Sequence, residues 1–134
     1  MQRPDTICIR TALYEEALSI LEQEYASDLT VADLAGRVAC SCRQLQRAFQ
    51  EVGDTSFRTA LTEIRMDRAA EMLARDPVSV RDAARQVGYR QPAQFAKAFR
   101  RRHGLSPSQY RVGSRLGRLR ELREAVESRT GVAA

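Results

Sequence analysis

Thr30-Val31-Ala32-Asp33-Leu34-Ala35-Gly36-Arg37-Val38 returns 49 residues later as Ser79-Val80-Arg81-Asp82-Ala83-Ala84-Arg85-Gln86-Val87. The hydroxyl, the first valine, the aspartate, the second alanine and the last valine coincide. Further on, Gln44-Leu45-Gln46-Arg47-Ala48-Phe49 matches Gln94-Phe95-Ala96-Lys97-Ala98-Phe99 at an offset of 50. One residue has therefore entered the second copy between its two segments, in a turn, where insertions are best tolerated. Each copy begins with a hydroxyl residue followed three positions on by a carboxylate. That pattern is a capping box, which satisfies backbone N–H groups left over at a helix start. A short helix, a turn and a second helix carrying basic residues is a DNA-reading unit, and two of them imply a bipartite site.

Working outward, Ala35 and Ala84 fall where two helices cross closely, with Val38 and Val87 on the same face. Gly88 suits a left-handed turn between the helices; the first copy has Ala39 there, at a cost of about 1 kcal/mol if its backbone is left-handed. Ser41, with Gln44 three residues on, caps the second helix of unit one. Pro92 stands near the first turn of its counterpart, where its missing N–H is harmless. Leu45 and Phe49, and Phe95 and Phe99, close the apolar faces. Between the copies, Phe57, Ala60, Leu61, Ile64, Ala69, Met72 and Leu73 recur at helical spacing and mark one helix over 56–75, ended by Asp76-Pro77. From end to end, the roughly 19 steps of 1.5 Å rise span roughly 28 Å, close to the ~34 Å between successive major-groove faces on one side of B-DNA. Upstream, Ala12, Leu13, Ala17, Leu18 and Leu21 predict a helix over about 11–25. Downstream, Ser106-Pro107-Ser108-Gln109 opens a short helix, and Leu116, Leu119, Leu122 and Val126 line a docked tail helix or a dimer contact.

The chain has 134 residues, net charge +5 and no Trp, with a pI of about 9.6, a balance that points towards a polyanionic partner. Charge is segregated: from Ala83 to Arg120 there is no acid, against Arg85, Arg90, Lys97, Arg100, Arg101, Arg102, Arg111, Arg115, Arg118 and Arg120. No apolar run is long enough for a membrane span and no signal-peptide core is visible, so the expectation is a cytoplasmic protein with no membrane partner. Three cysteines argue against a disulfide framework. His103 is alone, Cys8 is distant in sequence from Cys40 and Cys42, and no Gly-rich loop precedes a helix. No metal site, cofactor or enzymatic activity is therefore expected. Two alternatives remain beside DNA reading. One is redox sensing through Cys40 and Cys42, where a helix N-terminus lowers a thiol pKa. The other is a protein-interaction module that has kept the fold without DNA binding.

Val80, Ala83-Ala84, Val87-Gly88-Tyr89, Phe95, Lys97, Phe99, Gly104 and Ser106-Pro107 through Tyr110-Arg111 resemble, in order and spacing, the C-terminal signature of the AraC/XylS family of bacterial transcription regulators. The first copy and Arg65-Met66-Asp67-Arg68-Ala69 fit as well, so the resemblance runs from about Leu29 to Arg111. It implies an all-α, homeodomain-like fold of two helix-turn-helix subdomains joined by a long linker helix. The corresponding division is an N-terminal helical segment at 1–28, the DNA-binding domain at 29–111 (first helix-turn-helix 29–55, linker 56–76, second 78–111) and a helical tail at 112–134. The second helix of each unit then enters a major groove of double-stranded DNA. Arg43, Gln46 and Arg47, and Arg90, Gln91, Ala93, Gln94 and Lys97, lie at or near the exposed reading positions, where Arg suits guanine and Gln adenine. Ser41, Arg100, Arg101, Arg102 and Arg111 are expected on phosphates, and Tyr89, Phe95, Phe99 and Tyr110 in the core. The resemblance further implies an activator that meets RNA polymerase and binds as a monomer, with a dimer through the tail as the alternative. With no room for a ligand-binding domain, the chain resembles the stand-alone members of the MarA and SoxS type, or is a piece of a longer protein. Asp54 stands where the family often has glycine, matching Gly104 in the repeat.

Overall fold

A computed structural model describes residues 4–130; residues 1–3 and 131–134, at the outer ends of the expected N-terminal segment and tail, lie outside the described residues. Every regular element among the described residues is a helix: α1 (Pro4–Glu24), α2 (Val31–Arg37), α3 (Cys42–Gly53), α4 (Phe57–Arg75), α5 (Val80–Gln86), α6 (Pro92–His103) and α7 (Pro107–Thr130). The chain forms two compact units whose boundary falls inside α4, after Met66.

In the first unit α2 and α3 begin with the expected caps. Thr30 Oγ1 accepts from the Asp33 N–H while the Asp33 carboxylate accepts from the Thr30 N–H, each at 3.1 Å. Ser41 and Gln44 make the same reciprocal pair at 3.1 and 2.9 Å. Between the two helices the Cys40 N–H bonds back to Ala35 O at 3.0 Å and the Ala39 N–H to Gly36 O at 3.3 Å. This doubly bonded helix stop needs a left-handed residue at its centre. Ala39 supplies it at φ 56°. The core is Ala17 and Leu21 of α1, Leu34, Ala35 and Val38, Leu45 and Phe49 of α3, and Ala60 and Leu61 of α4. Tyr14 meets Phe49 edge-on at 5.3 Å between ring centroids, and its ring stands where a Cβ at Gly53 would be. Arg65 donates to the Tyr25 and Ser27 carbonyls at 2.7 and 3.0 Å. It thereby closes the chain just past α1, where helix carbonyls lack partners.

The second unit repeats the stop with a glycine. The Tyr89 N–H bonds to Ala84 O at 2.9 Å and the Gly88 N–H to Arg85 O at 3.0 Å, with Gly88 at φ 94°. The extra residue sits where the sequence offset put it: Val38 and Ser41, the end and start caps of unit one, are three residues apart, and Val87 and Gln91 are four. Phe95 and Phe99 are fully buried, with Ala83, Ala84, Val87 and Leu73. Phe99 packs against Phe95, Tyr110 and His103 at 5.8, 5.4 and 4.6 Å between centroids. Asp54 and Gly104, which end α3 and α6, are both in left-handed geometry, at φ 49° and 77°.

Three expectations need correction. The capping box of α5 is half made: Ser79 Oγ accepts from the Asp82 N–H at 3.0 Å, but the reciprocal bond is not formed, which leaves the exposed Asp82 carboxylate in water. α1 begins at Pro4 rather than near Thr11, and Ala12 is exposed. The short helix opened by Ser106 and Gln109 (3.1 and 3.2 Å) does not stop at Arg111 but continues to Thr130 as one helix.

Candidate nucleic-acid interface

In α3, burial of Leu45, Ala48 and Phe49 turns the opposite face outward. Arg43, Gln46, Arg47 and Gln50 follow one another at the spacings that share a helix face, and all four are exposed. The ridge they form has a groove on each side. On the α1 side a cleft of about 300 Å³ is lined by Thr6, Ile9, Arg10 and Leu13 of α1 and by Ser41, Arg43, Gln44 and Arg47. Arg10 forms an ion pair with Glu51 that ties this stretch of α1 to α3. On the other side a groove of about 340 Å³ is lined by Gln46, Gln50, Val31 and the start of α4 at Thr55, Ser56, Phe57 and Arg58. Ser56 Oγ caps α4 by accepting from the Thr59 N–H at 3.1 Å. Gln50 and Arg58 are polar neighbours of the ridge that sequence reading passed over. The spacing from Gln46 to Gln50, and the hydroxyl of Ser56 opening a helix with Arg58 in its first turn, were the signals for them.

In α6 the same division holds. Phe95 and Phe99 are buried, while Gln91, Ala93, Gln94, Lys97, Arg100 and Arg101 are exposed, as is Arg90 in the turn before the helix. Gln94, Lys97 and Arg101 share one face and Arg100 stands to its side. Pro92 opens the helix and Gln91, the cap position, makes no side-chain cap bond, which leaves its amide to other partners. Tyr89 and Tyr110 are half-buried against Phe95 and Phe99, so these aromatics are core groups.

Two of the arginines expected on phosphates are engaged within the fold. Arg102 lays its guanidinium across both Asp67 carboxylate oxygens at 3.2 and 3.1 Å, and His103 Nε2 lies 3.5 Å from the same carboxylate. Arg111 is half-buried and donates to the carbonyls of Leu73, in the last turn of α4, and of Val78, just past the helix. It does in the second unit what Arg65 does in the first. Ser41 keeps its hydroxyl hydrogen, since its oxygen is the acceptor in the cap. The redox alternative loses its physical basis at Cys40: burial first, then Cys42 and Glu16, push this half-buried thiol up from its ordinary pKa rather than down.

A helix-turn-helix domain model matches residues 34–112. Among curated proteins, the lactose operon transcription activator of Staphylococcus xylosus is 32% identical over 97 residues, 72% of this chain and 35% of that protein. Among solved structures, an AraC-type DNA-binding-domain regulator from Chromobacterium violaceum superposes with TM-score 0.75 at 25% identity, over 77% of this chain and 92% of that one. This chain belongs to the AraC family of transcriptional regulators. The DNA-binding domain of AdpA, solved in complex with a target DNA, is similar to this member at TM-score 0.73 and 28% identity, over 78% of this chain and 95% of that one. The chain spans about a third of the length of the curated relatives it matches. None of its described helices is long and apolar enough to cross a membrane.

Proposed function

We propose that this AraC-family chain binds duplex DNA at two adjacent major-groove segments, one read by α3 and one by α6, and activates transcription from the bound promoter by contact with RNA polymerase. The observation that carries the DNA reading is the two-sidedness of both helices. Their inner faces are fully buried, whereas Arg43, Gln46, Arg47, Gln94 and Lys97 stand exposed with no partner among the described residues. Unpaired guanidinium, amide and ammonium groups on a protruding helix are what base edges require. In this reading Arg43, Gln46 and Arg47 contact bases in the first segment, and Arg90, Gln91, Gln94 and Lys97 in the second. Ser41, Arg100 and Arg101 hold phosphates, through a hydroxyl hydrogen and two exposed charges. Arg102 joins them only by sharing its charge with Asp67, and Arg111 serves the framework. Activation is supported by the S. xylosus relative, a lactose operon transcription activator, and double-stranded DNA as partner by the AdpA complex.

Selection of bound duplexes from a randomised library of about 30 base pairs at near-physiological salt tests the proposal. Two enriched motifs about 10 base pairs apart are expected. Arg47→Ala should weaken binding to the selected site by ~1–3 kcal/mol and relax one motif, and Lys97→Ala the other. No enriched motif, with binding that simply disappears in salt, would overturn sequence-specific reading.

A further inference from the structure

Ile9, 61% exposed, is the most exposed large apolar side chain among the described residues of the first unit, and it lies on the wall that α1 gives to the cleft beside α3. Leu13, one turn on, lines the same wall and packs inward against the core. A single exposed isoleucine is ordinary. This one lines a cleft of about 300 Å³. That volume is at the lower end of the ~300–1,000 Å³ typical of small-molecule sites and about twice the ~150 Å³ cavity that takes a benzene ring. The walls are set in advance, because the Arg10–Glu51 ion pair fastens α1 to α3.

The α3 wall says what kind of molecule fits. Arg43 and Arg47, four residues apart on one helix face, are exposed and have no partner among the described residues. Beside them, Ser41 Oγ accepts from the Gln44 N–H, and Gln44 Oε1 accepts from the Ser41 N–H. The cap thus engages the acceptor atoms of both side chains and leaves the hydroxyl hydrogen and the amide NH2, which are donors. No acid is among the residues that line the cleft. Two unpaired cations and two donors facing an apolar wall match one chemistry: a single anionic head on a compact apolar body. A carboxylate suits the head, since a guanidinium holds it through two parallel N–H bonds. A bare phosphate would leave Ile9 in water, and a neutral apolar molecule would leave both charges unpaired.

We propose that the cleft between α1 and α3 binds a small organic monocarboxylic acid, its apolar body on Ile9 and Leu13 and its carboxylate on Arg43 and Arg47, and that the bound acid displaces DNA from α3. Displacement follows because the same two arginines are assigned to base reading. That consequence rests on the DNA reading proposed above; the binding of the acid does not.

Calorimetric titration of the full chain with hydrocinnamate, without DNA, should give saturable binding with a dissociation constant of about 1 mM or tighter. Hydrocinnamide, with the same body and no charge, and acetate, with the charge and no such body, should each bind at least about tenfold more weakly. Ile9→Ser, at an exposed position outside every proposed DNA contact, should weaken hydrocinnamate by about fivefold or more and leave the affinity for the selected duplex unchanged. Hydrocinnamate at about ten times its dissociation constant should raise the apparent dissociation constant for that duplex about tenfold, measured against an equal concentration of acetate. No saturable binding of hydrocinnamate, equal binding of the amide, or an Ile9→Ser affinity equal to the parent's overturns the proposal. So does a duplex affinity that stays the same once hydrocinnamate has saturated the chain. A parent that selects no duplex but still binds hydrocinnamate through Ile9 would refute the DNA reading and uphold the acid site, so the two failures are distinct.

Discussion

Ala39→Gly should stabilise the protein. Ala39 sits at φ 56° in the stop that separates α2 from α3, held there by the Cys40 and Ala39 N–H bonds to Ala35 and Gly36. A residue with a Cβ loses roughly 1–2 kcal/mol in left-handed geometry. Glycine removes that cost but adds back roughly 0.5–1 kcal/mol through the freedom of its unfolded chain. The Ala39 side chain is exposed, so no packing is lost. The net gain is about 0.5–1 kcal/mol, which at a urea slope of ~1–3 kcal/mol per molar raises the midpoint by roughly 0.2–1 M. With no Trp in the chain, far-ultraviolet circular dichroism is the probe. Gly88→Ala is the mirror experiment: at φ 94° it should lose at least about 1 kcal/mol. An Ala39→Gly midpoint equal to or below that of the parent would refute the reasoning, because the left-handed backbone would then carry no penalty for a Cβ.

Phe99→Ala, at a fully buried ring touching Phe95, His103 and Tyr110, should cost ~3–5 kcal/mol in urea unfolding; a loss under about 1 kcal/mol would mean that the neighbouring rings close the void. The Asp33 carboxyl is held below its ordinary 3.8, chiefly by the Thr30 N–H and then by the Thr30 hydroxyl. Its contribution to stability is therefore present above the ordinary carboxylate range and lost as pH falls through the lower folded value. The parent should exceed Asp33→Asn in urea midpoint near neutrality, and the gap should close below about pH 4. A gap that stays constant with pH would show that the ionised cap contributes nothing.

The framework was legible because capping and helix stops depend on residues a few positions apart. Thr30 with Asp33, Ser41 with Gln44, Ser106 with Gln109 and the pair Ala39/Gly88 could all be read as local chemistry, and the duplication repeated the first helix start at Ser79 and the helix stop at Gly88. What was not legible depends on distant chain. Arg111 and Arg102 look like any others in a basic run, and only folding brings the Leu73 and Val78 carbonyls and the Asp67 carboxylate to them. The missing half of the Ser79 box and the early start of α1 turn on surroundings that short-range pattern does not encode. The helical tail expected beyond Arg111 is part of α7, which runs through Gly113 and Gly117 without a break. The outward faces of α3 and α6 were foreseen as faces; Gln50 and Arg58 were missed because their significance comes from the groove they line.

The doubly bonded stop between α2 and α3, and its twin between α5 and α6, fixes the angle between helices through main-chain bonds and buried apolar groups, Leu34, Ala35, Val38, Leu45 and Phe49 in the first unit and Ala83, Ala84, Val87, Phe95 and Phe99 in the second. Positions 43, 46, 47, 94 and 97 take no part in that scaffold, and exchanges at such exposed, unpaired sites usually change stability by less than about 0.5 kcal/mol. The sequence at those positions can therefore drift at almost no cost to folding, and on the proposed reading each such change alters a DNA contact while leaving the fold intact. Divergence within such a scaffold should concentrate on the outward ridge and leave the stop and its buried anchors nearly still.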